Sequence, residues 1–361
     1  MADPGTAAVV VALIIVVALT VYLLTGGADF GGGAVWLVAR GPHAAALREL
    51  VLKAIGPIWE AHHVWLIVVV VLLFVCFPLV FATLTTALHI PLTLVLIGIV
   101  LRGAAFVFRA YGLPRAEFRQ RWEVIFAVAS LMTPLMLGVT LGAVTSGRIR
   151  VDPVTGGVVA DYVTTWWQPF PWAVGLLLVG LCMYLAVVYL LHETAEPALR
   201  EVLRRIGVVV GIDVGLFAWL AAYLAADGAP QLYHGLMHAR WSLGFQFVTG
   251  GVAVGALVAL WQRRYAVARV VVVAQAVCMV GGWAASQFPW LIVPDLTIAN
   301  SAAPANVLQS VLWVLGGGAV LLGPAFGYLY YLFKWQREQY DGRTREGGRA
   351  GAAPPPSRSI L

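Results

Sequence analysis

The chain has 361 residues, of which 61% are hydrophobic and 11% charged, and its mean hydropathy is +0.88; this composition excludes an ordinary soluble domain. A formal charge of +6 would suit nucleic acid only if the basic residues formed a patch. They lie instead in short segments between apolar runs, so no nucleic-acid partner is expected.

Apolar runs long enough for a bilayer of about 30 Å predict an all-α membrane protein of about nine transmembrane helices. In chain order they cover 7–38, 54–82, 84–108, 122–146, 166–191, 206–226, 243–262, 267–290 and 306–333. The first run is longer than a bilayer needs. Gly26, Gly27, Gly31, Gly32 and Gly33 interrupt its second half, which a tilted helix or a broken end would accommodate. No Lys or Arg precedes it and no small-residue cleavage site follows, so a cleaved signal peptide is not expected. Cys76, Cys182 and Cys278 stand alone in separate runs, without C-x-x-C or C-x-x-C-H spacing. They read as packing residues and speak against a covalent haem or a zinc site.

The basic residues cluster after the odd-numbered runs: Arg40, Arg48 and Lys53; Arg109, Arg115, Arg119 and Arg121; Arg200, Arg204 and Arg205; Arg263, Arg264 and Arg269; and then the C-terminal tail. The even loops hold only Arg148, Arg150 and Arg240. By the positive-inside rule the N-terminus lies outside and the C-terminus in the cytoplasm, which requires an odd number of spans. Residues 1–335 then form a single polytopic membrane domain, and 336–361, rich in Arg, Gly and Pro, a polar, disordered cytoplasmic tail. Trp166, Trp167, Trp172 and Trp290 read as interface anchors.

Ionisable residues inside spans are functional candidates. Glu60, His62 and His63 open the second span. At 1.5 Å per residue Glu60 lies on the order of 7 Å inside its cytoplasmic end. It reads either as a carboxylate on a polar path or as an interfacial residue held by the positive end of its helix. His63 shares the helix face of Glu60, and His62 points about a quarter-turn away. Each histidine is open to a hydrogen-bonding role, a proton relay or ligation of a metal or haem. Asp29 in the first span, Arg102 in the third, Glu123 and Asp213 fall at similar depth, which suggests a polar entry from the cytoplasm. Arg102 alternatively snorkels its head group to the interface. Gly27 and Gly31 have the spacing of close helix packing.

These residues carry a family resemblance. The stretch G-P-I-W-E-A-H-H-V-W-L-I at 56–67, with Trp59 and Trp65, is preceded by T-G-G-A-D-F-G-G-G at 25–33. L-R-G-A-A-F-V-F-R at 101–109, R-W-E at 121–123 and F-P-W-L-I-V-P at 288–294 add to it. Together they resemble subunit II of the cytochrome bd quinol oxidases, including the cyanide-insensitive relatives. The resemblance implies two four-helix bundles plus one extra helix. It implies no cofactor in this chain, with haem b, haem d and the quinol site in a partner subunit I. It also makes Glu60 the lining carboxylate of a proton route, assisted by Asp29 and His63. The family motif usually begins with an aspartate where this chain has Gly26, and His62 stands where the family often has Asn.

The resulting expectation is the non-haem subunit of a quinol oxidase that reduces oxygen to water in the bacterial cytoplasmic membrane. Its proton path would comprise Glu60, Asp29, His63, His62 and Arg102, with membrane lipid, quinone and a small accessory subunit as further contacts. The rivals are a proton- or cation-coupled secondary transporter, which would need midplane binding groups in broken helices, and a purely structural membrane subunit.

Overall fold

The protein is described by a computed structural model covering residues 4–55, 59–112, 116–152 and 154–330. The expected tail at 336–361, the Gly56-Pro57-Ile58 start of the motif and the Trp59 side chain lie outside the described residues. The chain divides into two compact units, Met1–Leu308 and Gln309–Leu361.

In chain order the helices are α1 (Pro4–Tyr22), a π-helical turn (Leu23–Gly27), α2 (Ala28–Val38), α3 (Ala44–Ile55), α4 (Trp59–Cys76), α5 (Pro78–Ala87), α6 (His89–Tyr111), α7 (Ala116–Thr145), α8 (Pro169–Glu193), α9 (Pro197–Gly228), α10 (Pro230–His238), α11 (Ser242–Trp261), α12 (Tyr265–Gln287) and α13 (Ala305–Tyr330). Two short hairpins interrupt them: β1 (Arg150–Val151) with β2 (Val158–Val159), and β3 (Trp290–Ile292) with β4 (Leu296–Thr297). Among the described residues eight helices are long and apolar enough to cross a membrane, or nine if one bent pair counts as a span. The expected all-α membrane fold is borne out at that level.

The bent pair corrects the second expected span. Residues 54–82 are not one helix: α4 ends at Cys76 and α5 leaves at 116° to it. Pro78 has no N–H to continue the ladder, and it drives Phe77 out of the helical region, to φ −137° and ψ 60°. The Cys76 carbonyl accepts a hydrogen bond from Ala303 N–H at 2.8 Å, so the break leaves that acceptor satisfied. The first run, by contrast, does not break at its glycines; the π turn carries α1 into α2 as one long span. Helices α3 and α10 form within segments expected to be loops.

Helix α8 is the most enclosed of the candidate spans. It packs against α2, α7, α9 and α12, while α1 packs on α4 and α11 on α12. Small residues permit the closest approaches. A Cβ on Gly138 of α7 would lie 2.6 Å from the Gly175 Cα of α8, which only a glycine pair allows. Large apolar side chains such as Trp219, Phe247 and Trp261 point outward, as expected where lipid or another membrane subunit replaces water. In the second unit, Trp313, Val314, Val320 and Leu321 of α13 are likewise exposed.

The two hairpins are tied together. Arg150 donates from Nε and Nη2 to the Asp295 carboxylate at 2.9 and 3.1 Å, and Val151 N–H donates to the same carboxylate at 2.8 Å. The Arg150 guanidinium thereby holds the Asp295 carboxyl below its usual range. Trp166, expected as an interface anchor, is buried, with its indole N–H donated to the Tyr162 carbonyl.

Candidate functional site

The site begins at the π turn. Tyr22 and Asp29 are seven residues apart, and two regular α turns would stack them on one face. The wider turn between them, Leu23–Gly27, carries about one extra residue and swings Asp29 roughly a quarter-turn past Tyr22. On α4, His62 and His63 are also about a quarter-turn apart. The two offsets match. Tyr22 Oη lies 3.3 Å from His63 Nδ1, and Asp29 Oδ2 lies 2.6 Å from His62 Nδ1.

Arg102 of α6 completes the group. Its Nη2 is 4.0 Å from Asp29 Oδ2, the oxygen that meets His62. The residue is 0% exposed and Asp29 8%. The Arg102 guanidinium lies over the Phe30 ring at 4.8 Å and the Phe126 ring at 5.5 Å, so aromatic faces as well as a carboxylate balance its charge. The snorkelling alternative is therefore corrected: the head group points into the protein. Phe30 and Tyr22 also pack edge-on, each with its centroid 5.9 Å from that of His63.

A carboxylate and an imidazole at 2.6 Å share a proton readily. With Asp29 ionised, His62 Nδ1–H donates to it and Nε2 is left to exchange a proton elsewhere. Arg102, buried beside them, places a positive charge next to the carboxylate. The arrangement can hold a proton and pass it on. Among the described residues no three His, Cys, Asp or Glu side chains gather closely enough to hold a metal ion.

The expected residues divide unevenly. Asp29, His62 and Arg102 are brought together, and His63 joins them through Tyr22 and Phe30. Glu60 is exposed in the first turn of α4, and among the described residues its carboxylate makes no hydrogen bond or ion pair. His62, rather than Glu60 or His63, is the α4 side chain on Asp29. Gly27 and Gly31 face α8: a Cβ on Gly27 would meet Cys182 Sγ at 3.2 Å, and one on Gly31 would overlap the Cys182 carbonyl oxygen. Trp65 is half-buried. Glu123 forms an ion pair with Arg109 at 3.0 Å, an ordinary interhelical pair, and Asp213 is half-buried on α9. Sequence reasoning missed Tyr22 and Phe30. Their only sequence signal is position, seven residues before Asp29 and one after it.

Comparison with known proteins decides the family. The family described as cytochrome bd terminal oxidase subunit II matches residues 7–333. The chain belongs to that family. The resemblance carried by the 25–33 and 56–67 motifs is thus borne out. Among cytochrome bd subunit II relatives, the chain is 28% identical over 155 residues to the cytochrome bd ubiquinol oxidase subunit 2 of Bacillus subtilis (strain 168), covering 43% of this chain and 45% of that one. It is 26% identical over 183 residues to the cytochrome bd-I ubiquinol oxidase subunit 2 of Escherichia coli (strain K12), covering 50% and 48%. In these alignments the chain spans about half the length of the curated relatives it matches. The fold resembles a chain in the structure of bd oxidase from Geobacillus thermodenitrificans, with a TM-score of 0.73 and 23% identity over 91% of this chain and 99% of that one. This subunit II family member is a multi-pass membrane protein.

Proposed function

We propose that the chain is the haem-free subunit of a cytochrome bd-type quinol:oxygen oxidoreductase in the bacterial cytoplasmic membrane, and that it provides a path for cytoplasmic protons toward the oxygen-reduction site. Its partner is a subunit I that carries haem b, haem d and the quinol site. Membrane lipid, quinone and a small accessory subunit are further contacts of the complex. The N-terminus lies outside, the C-terminus in the cytoplasm, and 1–335 forms one membrane domain followed by the polar tail. Family membership and the names of the relatives support the oxidase part of this reading.

Electron delivery to oxygen belongs to the haems of the partner. The residues of this chain hold and move protons. Reduction of oxygen to water consumes protons, and drawing them from the cytoplasm while quinol protons leave on the other side builds a membrane potential. Glu60, exposed at the start of α4, is the entry carboxylate, and His63 and His62 follow it within one helical turn. Asp29 is the inner acceptor. Arg102 stands beside the inner carboxylate as its counter-charge, and the apolar packing of Phe30 and Phe126 excludes bulk water from it. The observation that carries the reading is the 2.6 Å contact of Asp29 with His62 beside a fully buried arginine, an expensive arrangement for a membrane subunit with only a packing role.

In the intact complex, Glu60→Gln and Asp29→Asn should leave the haem spectrum unchanged and slow quinol-driven oxygen consumption at least about tenfold. Normal turnover in both would remove the proton role. The structural reading would then stand, since an exposed carboxylate in the first turn of α4 also suits the helix dipole. The family gives the transporter alternative no support.

A further inference from the structure

Asp29 takes its aim from the wide turn before it, and that turn is held from α8. Ala28 N–H donates to the Thr25 carbonyl. In a regular α-helix it would bond to Leu24. The Leu24 carbonyl instead accepts a hydrogen bond from Tyr189 Oη–H at 3.1 Å. Farther along, the backbone of α8 closes on the same span where Gly31 abuts the Cys182 carbonyl. Helix α8 therefore grips the first span on both sides of Asp29 in sequence. The guanidinium of Arg269, on α12, lies 5.2 Å from the Tyr189 ring centroid and backs the ring.

We infer that Tyr189 is a positioning residue for Asp29: its hydroxyl holds the π turn in place and so sets the direction in which the Asp29 carboxylate meets His62 and Arg102. The inference rests on the proton role proposed above. Relaxed to a regular α-helix, the segment would return Asp29 by roughly a quarter-turn to the face of Tyr22, away from its present partners. A wide turn disrupts the regular ladder, and a backbone carbonyl it redirects needs a partner where water is scarce. Tyr189 supplies that partner from a different helix. The geometry of Asp29 thus depends on α8, which contributes no group to the proton path itself.

The test uses the complex purified with its haem-bearing partner. Tyr189→Phe removes one hydroxyl and keeps the ring, so assembly and haem spectrum should match the parent. Turnover should fall about fivefold, the loss expected from one hydrogen bond, and the pH profile of oxygen consumption should be displaced. In an Asp29→Asn background the same change should have no further effect, because coupled residues are not additive. The infrared carboxyl band that vanishes in Asp29→Asn should shift in Tyr189→Phe. Parent-like turnover and profile, an unshifted band, or a loss that multiplies fully onto Asp29→Asn overturns the inference. Parent-like turnover of Asp29→Asn without the Tyr189 change removes Asp29 from the proton path instead, so the two failures are distinct. If Tyr189→Phe does not assemble, ring-fluorinated tyrosine at 189, which strengthens the hydroxyl as a donor, should shift the same band; an unmoved band again overturns the inference.

Discussion

Asp29 and Asp295 each face an arginine, and the two pairs are built in opposite ways. Asp295 receives two parallel bonds from Arg150 at 2.9 and 3.1 Å and a third from a backbone amide, yet the Arg150 side chain is 57% exposed. Asp29 has a 4.0 Å approach from Arg102, whose side chain is 1% exposed, with His62 on the same oxygen. Geometry alone would rank the hairpin pair as the stronger. Environment reverses the ranking: water already solvates the exposed pair and screens it, whereas a buried charge deprived of its partner has nothing to replace it. The tighter bond therefore fastens two loops, and the looser one governs the interior.

Removing one partner from each pair tests that reversal. The largest effect is expected for Arg102→Leu, which leaves Asp29 buried without its cation. It should destabilise the assembled complex by about 3–5 kcal/mol, read as a lowered thermal midpoint and reduced yield of haem-bearing complex. Adding Asp29→Asn should recover part of that loss, and no recovery would mean that Arg102 matters for packing on Phe30 and Phe126 instead of for charge. Next comes His62→Asn, which keeps a hydrogen-bonding side chain opposite Asp29 but no titratable ring. Assembly should be preserved and turnover should fall about tenfold; a parent-like rate would reduce His62 to a structural contact.

The smallest effect belongs to the hairpins. Asp295→Asn should leave turnover unchanged. Because Arg150 holds the folded Asp295 below its unfolded value, the stabilisation is present above the ordinary carboxylate range and is lost as pH falls through the folded value. The protection of the Val151 amide, taken against its intrinsic exchange rate at each pH, should fall on acidification in the parent and be low throughout in Asp295→Asn. Equal pH dependence in both would show that the pair does not secure the hairpins.

Much of the fold was legible in the sequence, because a bilayer demands long apolar runs and those runs are visible one residue at a time. The break in the second span is not legible, because Pro78 sits inside a run whose hydropathy never falls, and hydropathy does not register a missing N–H. The members of the buried site were legible as costly charges in apolar runs: Asp29, His62, His63 and Arg102 were all candidates. Their pairing was not. Helical spacing linked His63 with Glu60, but contact was made between α4 and the first span, and there His62 meets Asp29 while Glu60 stays exposed. Tyr22, Phe30 and Tyr189 carried no charge in a membrane run and so no alarm.

What the sequence by itself determined is the class of protein, its family and the set of ionisable residues that had to find partners, since transfer free energies act on each residue locally. Which charge faces which was decided only by tertiary structure. A five-residue π turn redirects Asp29, glycines at 27 and 31 admit the backbone of α8, and Tyr189 holds the turn from a helix far away in the chain. The azimuth of a side chain on a helix is a property of the packed bundle, and no local preference for apolar surroundings encodes it.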